Sequence, residues 1–275
     1  MSHPHLNCVD MSNWGGPLTA EEVACLRAEG VRKVIVGTGA PNGAGAWARQ
    51  QASMALNHGL AVDAYVYLYF AKAPAAAVRI AMGTLQGLPI GRWWLDAEAD
   101  EEGVSPQQRV TALSVCLDIL ATAHQATGIY TRRSWWLPYT GDTRVFAHEP
   151  LWNAWFDGDP DTDGLPYGGW SDSLIEQYQG TTLVCGQSVD LNFDKSLEDD
   201  MDEATTRRIV REELARVLDL EDLAQDDDDR LRLGMSASLG LIRLSTEPKV
   251  EDREAALAGA RKALEEARQA RGGQG

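Results

Sequence analysis

Residues 92–100 read RWWLDAEAD, and residues 105–128 that follow read SPQQRVTALSVCLDILATAHQATG. The first stretch has the apolar, aromatic character of a buried strand. The second opens on Ser105 with Pro106 in its first turn, a helix start signal, and runs on as a long helix that ends by Gly128. GIYT (128–131) then begins another strand. A strand, a helix and a further strand in this order make a βα unit, and the same alternation recurs on both sides of it.

Upstream, LNCVD (6–10) and KVIVGTG (33–39) read as strands separated by an amphipathic helix over 18–30. Thr19 and Glu22 supply its capping box and Gly30 its stop. AWARQQASMALNHG (46–59) forms the next helix and LAVDAYVYLYF (60–70) the third strand, with Asp63, Tyr65, Tyr67 and Tyr69 on one face and Ala64, Val66 and Leu68 on the other. PAAAVRIAMGTL is a third helix; LWNAWF (151–156), LIEQYQG (174–180) and SVDLNFD (188–194) are the last strands. Eight strands, the first five linked by helices and the last three by irregular loops, predict an α/β fold, a parallel barrel or a doubly wound sheet, and the count of eight favours closure into a barrel. Catalytic groups of such barrels stand at strand C-termini. Asp10, Asp96, Glu98 and Asp190 all fall there.

Within RWWLDAEAD, Asp96 and Glu98 are two residues apart, so they project to one side with Cα atoms about 6.5–7 Å apart. Trp94 shares that side; Leu95 and Ala97 face the helices. Two close carboxyls cannot both ionise freely, so one holds its proton towards neutral pH, as a general acid must. Cleavage of a glycosidic bond uses such a pair. The first and last strands of a barrel are neighbours, which brings Asp10 and Asp190 to the same mouth.

Composition narrows the function. The chain has 275 residues, 44% of them apolar, and a net charge of -16. That charge argues against a nucleic-acid partner, which needs clustered Lys and Arg. No apolar run approaches a membrane span, and MSHPHLNCVD has neither the basic nor the apolar segment of a signal peptide. Cys8, Cys25, Cys116 and Cys185 are scattered without a CxxC pair, so free thiols are expected, with a Cys8–Cys185 bridge as the minority case. All nine Trp and ten of eleven Pro precede residue 195. A boundary near Ser196 therefore separates a barrel (1–195) from an acidic, mainly helical region (196–275) suited to docking, oligomerisation or wall binding.

CVDMSNWGG, DAYVYLYF, WWLDAEAD, GIYTRRSWW, LWNAWF, EQYQG and SVDLNFD, in this order over residues 6–194, resemble glycoside hydrolase family 25, the lysozyme-type muramidases common among phage lysins. The resemblance implies a barrel of five βα units plus three further strands. It also implies hydrolysis of the β-1,4 bond between N-acetylmuramic acid and N-acetylglucosamine in peptidoglycan, with no metal and no other cofactor. Carried onto this sequence, Glu98 is the general acid, Asp96 assists it, and Asp10 and Asp190 are supporting carboxylates. Tyr65, Tyr67, Trp94, Tyr130, Trp152, Gln177 and Tyr178 line the substrate. The chain departs from the family's pattern in two places: AYVYLYF has no His between its aromatics, and Ala97 is smaller than the usual residue between the two acids.

The expected setting is synthesis in a bacterial host cytoplasm, with action at the wall after release or as part of a phage particle. The 196–275 region is then a site of self-association or virion assembly. A rival reading keeps the barrel as a structural or glycan-binding part of such an assembly, with little or no catalysis; another directs it to a different N-acetylated glycan such as chitin. DGDPDTDG (157–164) partly matches a calcium loop, but Trp170 stands where the last acidic ligand belongs, so it reads as a solvated loop.

Overall fold

The computed structural model describes residues 5–12, 15–39, 47–161 and 164–197. Eight strands close a barrel in chain order: β1 (Cys8–Met11), β2 (Lys33–Gly37), β3 (Ala61–Tyr67), β4 (Trp93–Asp96), β5 (Thr127–Thr131), β6 (Leu151–Ala154), β7 (Ile175–Val184) and β8 (Gln187–Asp194). Strands β1 to β7 run parallel, and β8 is antiparallel to both its neighbours. The reversal is made by the Cys185–Gly186 turn, where both residues have positive φ (54° and 84°), the pattern a two-residue hairpin needs.

Helices α1 (Ala20–Ala28), α2 (Ala48–Asn57), α3 (Pro74–Thr84), α4 (Pro106–Thr122) and α5 (Arg133–Thr140) follow the first five strands. Thr19 with Glu22 and Ser105 with Gln108 form the capping boxes of α1 and α4, fixing their first turns. The sequence gives α5 no cap and puts Pro138 inside it, so it was not legible as a helix. α4 stops at Thr122, short of the expected Gly128, because His124 takes a left-handed φ of 56° and β5 starts at Thr127.

Strand alternation separates two cores. Outward residues such as Val34, Val36, Val62, Ala64, Val66, Leu95, Ala97 and Ile129 pack with the helices. Inward, Cys8, Ile35, Trp94, Tyr130, Trp152 and Ile175 fill the barrel, and Leu197 joins them, so the barrel domain runs at least that far. The rest of the expected C-terminal region lies outside the described residues. Inside the barrel the large aromatics need space. A Cβ on Gly128 would stand 2.4 Å from Trp94 Cζ3, and one on Gly37 would stand 2.5 Å from the Tyr65 hydroxyl. Below Trp94, Lys33 pairs with Asp194 (2.6 Å) and Asp63 (3.4 Å), so one ammonium serves both carboxyls of the floor.

The cysteines depart from expectation. Cys25 of α1 and Cys185 of the β7–β8 turn form a disulfide, while Cys8 and Cys116 are free and buried. Cys8 points into the barrel interior, away from the hairpin turn, which rules out the Cys8–Cys185 pairing. Sequence spacing carries no information on a contact between residues 160 apart.

Outside the barrel wall, no helix among the described residues follows β6 or β7, and a polar cluster packs there. Glu176 is fully buried and accepts from Asn153 Nδ2 (3.1 Å) and Ser173 Oγ (3.3 Å), while the Tyr167 hydroxyl donates to Asn153 Oδ1 (2.9 Å). Burial pushes the Glu176 carboxyl up to about 8, so the folded protein binds a proton there that the unfolded chain releases near the ordinary carboxyl pKa. That contribution to stability is complete below the ordinary pKa and is lost as pH rises through about 8. Glu176→Gln is therefore expected to gain on wild type in thermal unfolding as pH goes from 5 to 9. A constant difference in Tm over that range would refute the protonated state.

Candidate active site

The C-terminal ends of the strands carry the acids. Asp96 closes β4, level with Tyr67 of β3 on one side and Tyr130 of β5 on the other. Asp10 of β1 is paired in register with Asp190 of β8, so the seam that closes the barrel sets two carboxyls side by side. Glu98 follows just beyond β4 and is half-buried, whereas Asp96 and Asp10 are buried.

Amide side chains tie the acids together. Gln177 Nε2 donates to Asp10 Oδ2 (2.8 Å) and Asp190 Oδ2 (3.2 Å), and its Oε1 accepts from the Tyr130 hydroxyl (2.8 Å). Asn192 Nδ2 donates to Asp10 Oδ2 (2.7 Å), and its Oδ1 accepts from the Trp152 indole (2.8 Å). At the root of the β7–β8 hairpin the register slips between Gln179 and Thr182, leaving Thr181 at φ 45°, and its N–H donates to Asp190 Oδ1 (2.5 Å). The bulge aims a backbone donor at one of the four acids. Asp96 Oδ1, by contrast, is buried with no hydrogen-bond partner among the described residues.

All four carboxyls are held above the usual carboxylate range. Burial is the largest cause for each. Asp190 pushes Asp10 up further, although the Asn192 and Gln177 amides oppose it. Glu98 and Asp10 push Asp96 well up, and Arg132 pulls it back. For Glu98 the Arg132 charge opposes burial while Asp190 adds to it. One mouth thus holds several carboxyls that keep their protons further towards neutral pH than usual, as the general acid in cleavage of an acetal must.

The model of the family described as glycosyl hydrolases family 25 matches residues 9–186. The chain belongs to this family. Probable GH family 25 lysozyme 3 of Dictyostelium discoideum is 29% identical over 200 residues, covering 68% of this chain and 40% of the relative. The chain thus spans less than half of that relative's length. Among solved structures, a muramidase from Acremonium alcalophilum matches with a TM-score of 0.56 at 25% identity, over 68% of this chain and 94% of that one. A family GH25 lysozyme from Aspergillus fumigatus matches with a TM-score of 0.59 at 19% identity, over 71% of this chain and 98% of that one, which shows the shared fold.

In this family 25 barrel the structure sorts the residues expected to line the substrate. Tyr65 and Tyr67 are half-buried on the acids' face of β3, and Tyr130 and Gln177 belong to the hydrogen-bonded network itself. Trp94 does not reach the mouth. It lies one layer below Asp96, fully buried, and donates its indole N–H to Asp63 Oδ2 (3.1 Å) on the floor. Trp152 is buried too, packed against Tyr65, Trp94 and Tyr130, and supports Asn192. Tyr178 follows Gln177 on β7, so strand alternation turns it to the outer core, where it is buried.

Other groups were not singled out in the sequence. Asn192 shares the inward face with Asp190 two residues away, so the same period that revealed the acids could have revealed it. Arg132 follows Tyr130 by the same step. Phe156 is 56% exposed, and its ring lies beside Gly180 of β7. Only the bulge in β7 explains Thr181. In the acidic loop, residues 162 and 163 lie outside the described residues, and the Asp157 carboxylate accepts from the Asp159 N–H (3.0 Å). Among the described residues no helix is long and apolar enough to cross a membrane.

Proposed function

We propose that the barrel is an N-acetylmuramidase that hydrolyses the β-1,4 bond between N-acetylmuramic acid and N-acetylglucosamine in peptidoglycan. The observation that carries this reading is the meeting of Asp10, Asp96, Glu98 and Asp190 at one mouth, together with the Gln177 amide that bridges two of them. Glu98 is the general acid. It is the more accessible member of its pair, and burial holds its proton above the usual carboxyl range, ready for the leaving oxygen.

Asp96 assists from below. Its buried, unpartnered Oδ1 is an acceptor that costs about 1–3 kcal/mol to leave empty, and the N–H of a sugar's N-acetyl group satisfies it. Asp10 and Asp190, held by amide donors, stabilise positive charge as it develops at the anomeric carbon. Activity is expected to fall as pH rises through the raised pKa of Glu98, since the acid form does the work.

Retention of every acid weighs against a barrel kept only for binding. The Cys25–Cys185 disulfide suits action outside a reducing cytoplasm, in keeping with synthesis in a host cytoplasm and work at the wall after release or from a phage particle. Region 196–275 is assigned to docking or self-association, testable by mass measurement in solution. The activity is tested by mass spectrometry of peptidoglycan digested with the purified chain. Fragments ending in reducing N-acetylmuramic acid are expected; reducing N-acetylglucosamine ends, or no fragments, would overturn the assignment.

A further inference from the structure

We propose that Arg132 determines specificity at this mouth: its guanidinium receives the carboxylate that a muramyl residue carries through its O3 side chain, so the site favours acidic muramyl glycans over neutral N-acetylated ones. The proposal rests on the muramidase reading and deepens it.

The placement comes from the sheet. Trp94 is level with Gly128 and Asp96 with Tyr130, and the pairing continues past the strand ends, because the Ala97 N–H donates to the Tyr130 carbonyl (2.9 Å) and Thr131 Oγ1 donates to the Ala97 carbonyl (2.7 Å). Arg132 keeps an extended backbone (φ -133°, ψ 150°) before α5 begins. Two residues beyond Asp96 and two beyond Tyr130 therefore lie Glu98 and Arg132, side by side on adjacent chains and on the same face.

The arginine is uncommitted. It is exposed, its side chain caps nothing, and it makes no ion pair among the described residues, although its charge reaches Asp96, Glu98 and, on the other side, Tyr139. Arg109 nearby is spent: buried, it donates to the Val104 and Glu101 carbonyls. Lys72 stands over the Tyr69 ring at 4.8 Å, and that ring separates it from Tyr67. Among the described residues, Arg132 is the cation whose charge acts on both Asp96 and Glu98, so it is placed to receive an anionic group beside the general acid. Its planar fork matches a carboxylate with two parallel hydrogen bonds. A muramyl residue differs from N-acetylglucosamine by a lactyl ether at O3, which ends in a carboxyl group or is extended by a peptide bearing carboxyls of its own.

The test uses peptide-free muramyl glycan, peptide-bearing glycan, and both after conversion of their carboxyls to amides. Arg132→Gln is expected to raise KM about tenfold on the carboxylate forms and to leave the amidated forms at the wild-type value, with Arg132→Lys in between. A charge-dependent loss already seen without peptide assigns the contact to the lactyl carboxylate; one seen only with peptide assigns it to the stem. Equal loss on charged and amidated glycans would mean that Arg132 acts through Glu98, and no loss would mean that it contacts nothing; either overturns the proposal. Calorimetric binding of the same glycans to Glu98→Gln protein, with and without Arg132→Gln, separates the two readings. A wild type that binds but cleaves nothing ends the muramidase assignment, while an Arg132-dependent preference for carboxylates in that binding upholds the site.

Discussion

If Glu98 is the general acid of the proposed muramidase, Glu98→Gln is expected to lower peptidoglycan turnover by about 10²–10⁴-fold, the usual range for loss of such a group, with thermal unfolding close to wild type. The amide is isosteric with the acid, and Glu98 stands half-exposed beyond β4, outside the strand ladder. What disappears is the proton for the leaving oxygen. Without it the sugar departs as an alkoxide, and neither Asp10 nor Asp190 can substitute, because each is tied to amide donors across the mouth. The same variant should lose the alkaline limb of the pH profile that Glu98 causes. Release of reducing ends at an undiminished rate would remove Glu98 from the role and return the question to Asp96.

Trp94→Ala costs about 3–5 kcal/mol, as truncation of a fully buried Trp does, and lowers Tm by roughly 10 °C in a domain of this size. The indole fills the barrel between Gly128, which has no side chain so that it fits, and Trp152. It also gives Asp63 a hydrogen bond, so Trp94→Phe separates the two contributions: the ring is kept, the N–H is lost, and about 1–3 kcal/mol should go with it. Calorimetric unfolding checks both variants. If Trp94 met substrate instead, Trp94→Phe would change KM and leave Tm alone.

These two residues show how far the strand period reaches. RWWLDAEAD places Trp94, Asp96 and Glu98 on one side, and that side is the barrel interior. The period says nothing of depth. Depth depends on how neighbouring strands are staggered, and the stagger puts Trp94 one layer too low to see a ligand. On β7 the same rule, applied strictly, separates Gln177 from Tyr178: neighbours along a strand face opposite ways, and only Gln177 joins the acids.

From the sequence alone came the order of the strands and of the first four helices, the caps of α1 and α4, the side of the sheet each residue takes, and the presence of acids at strand ends. Each of these depends on residues within a few positions of one another, where backbone preference and periodicity act. Closure of the ring decided the rest. It paired Asp10 with Asp190 across the β1–β8 seam, brought Gln177 between them, set Arg132 beside Glu98, and joined Cys25 to Cys185. Such contacts link residues up to 180 positions apart. No local preference encodes them; they exist because eight strands close into a cylinder that leaves no open edge, and the cylinder's register then dictates which polar groups meet.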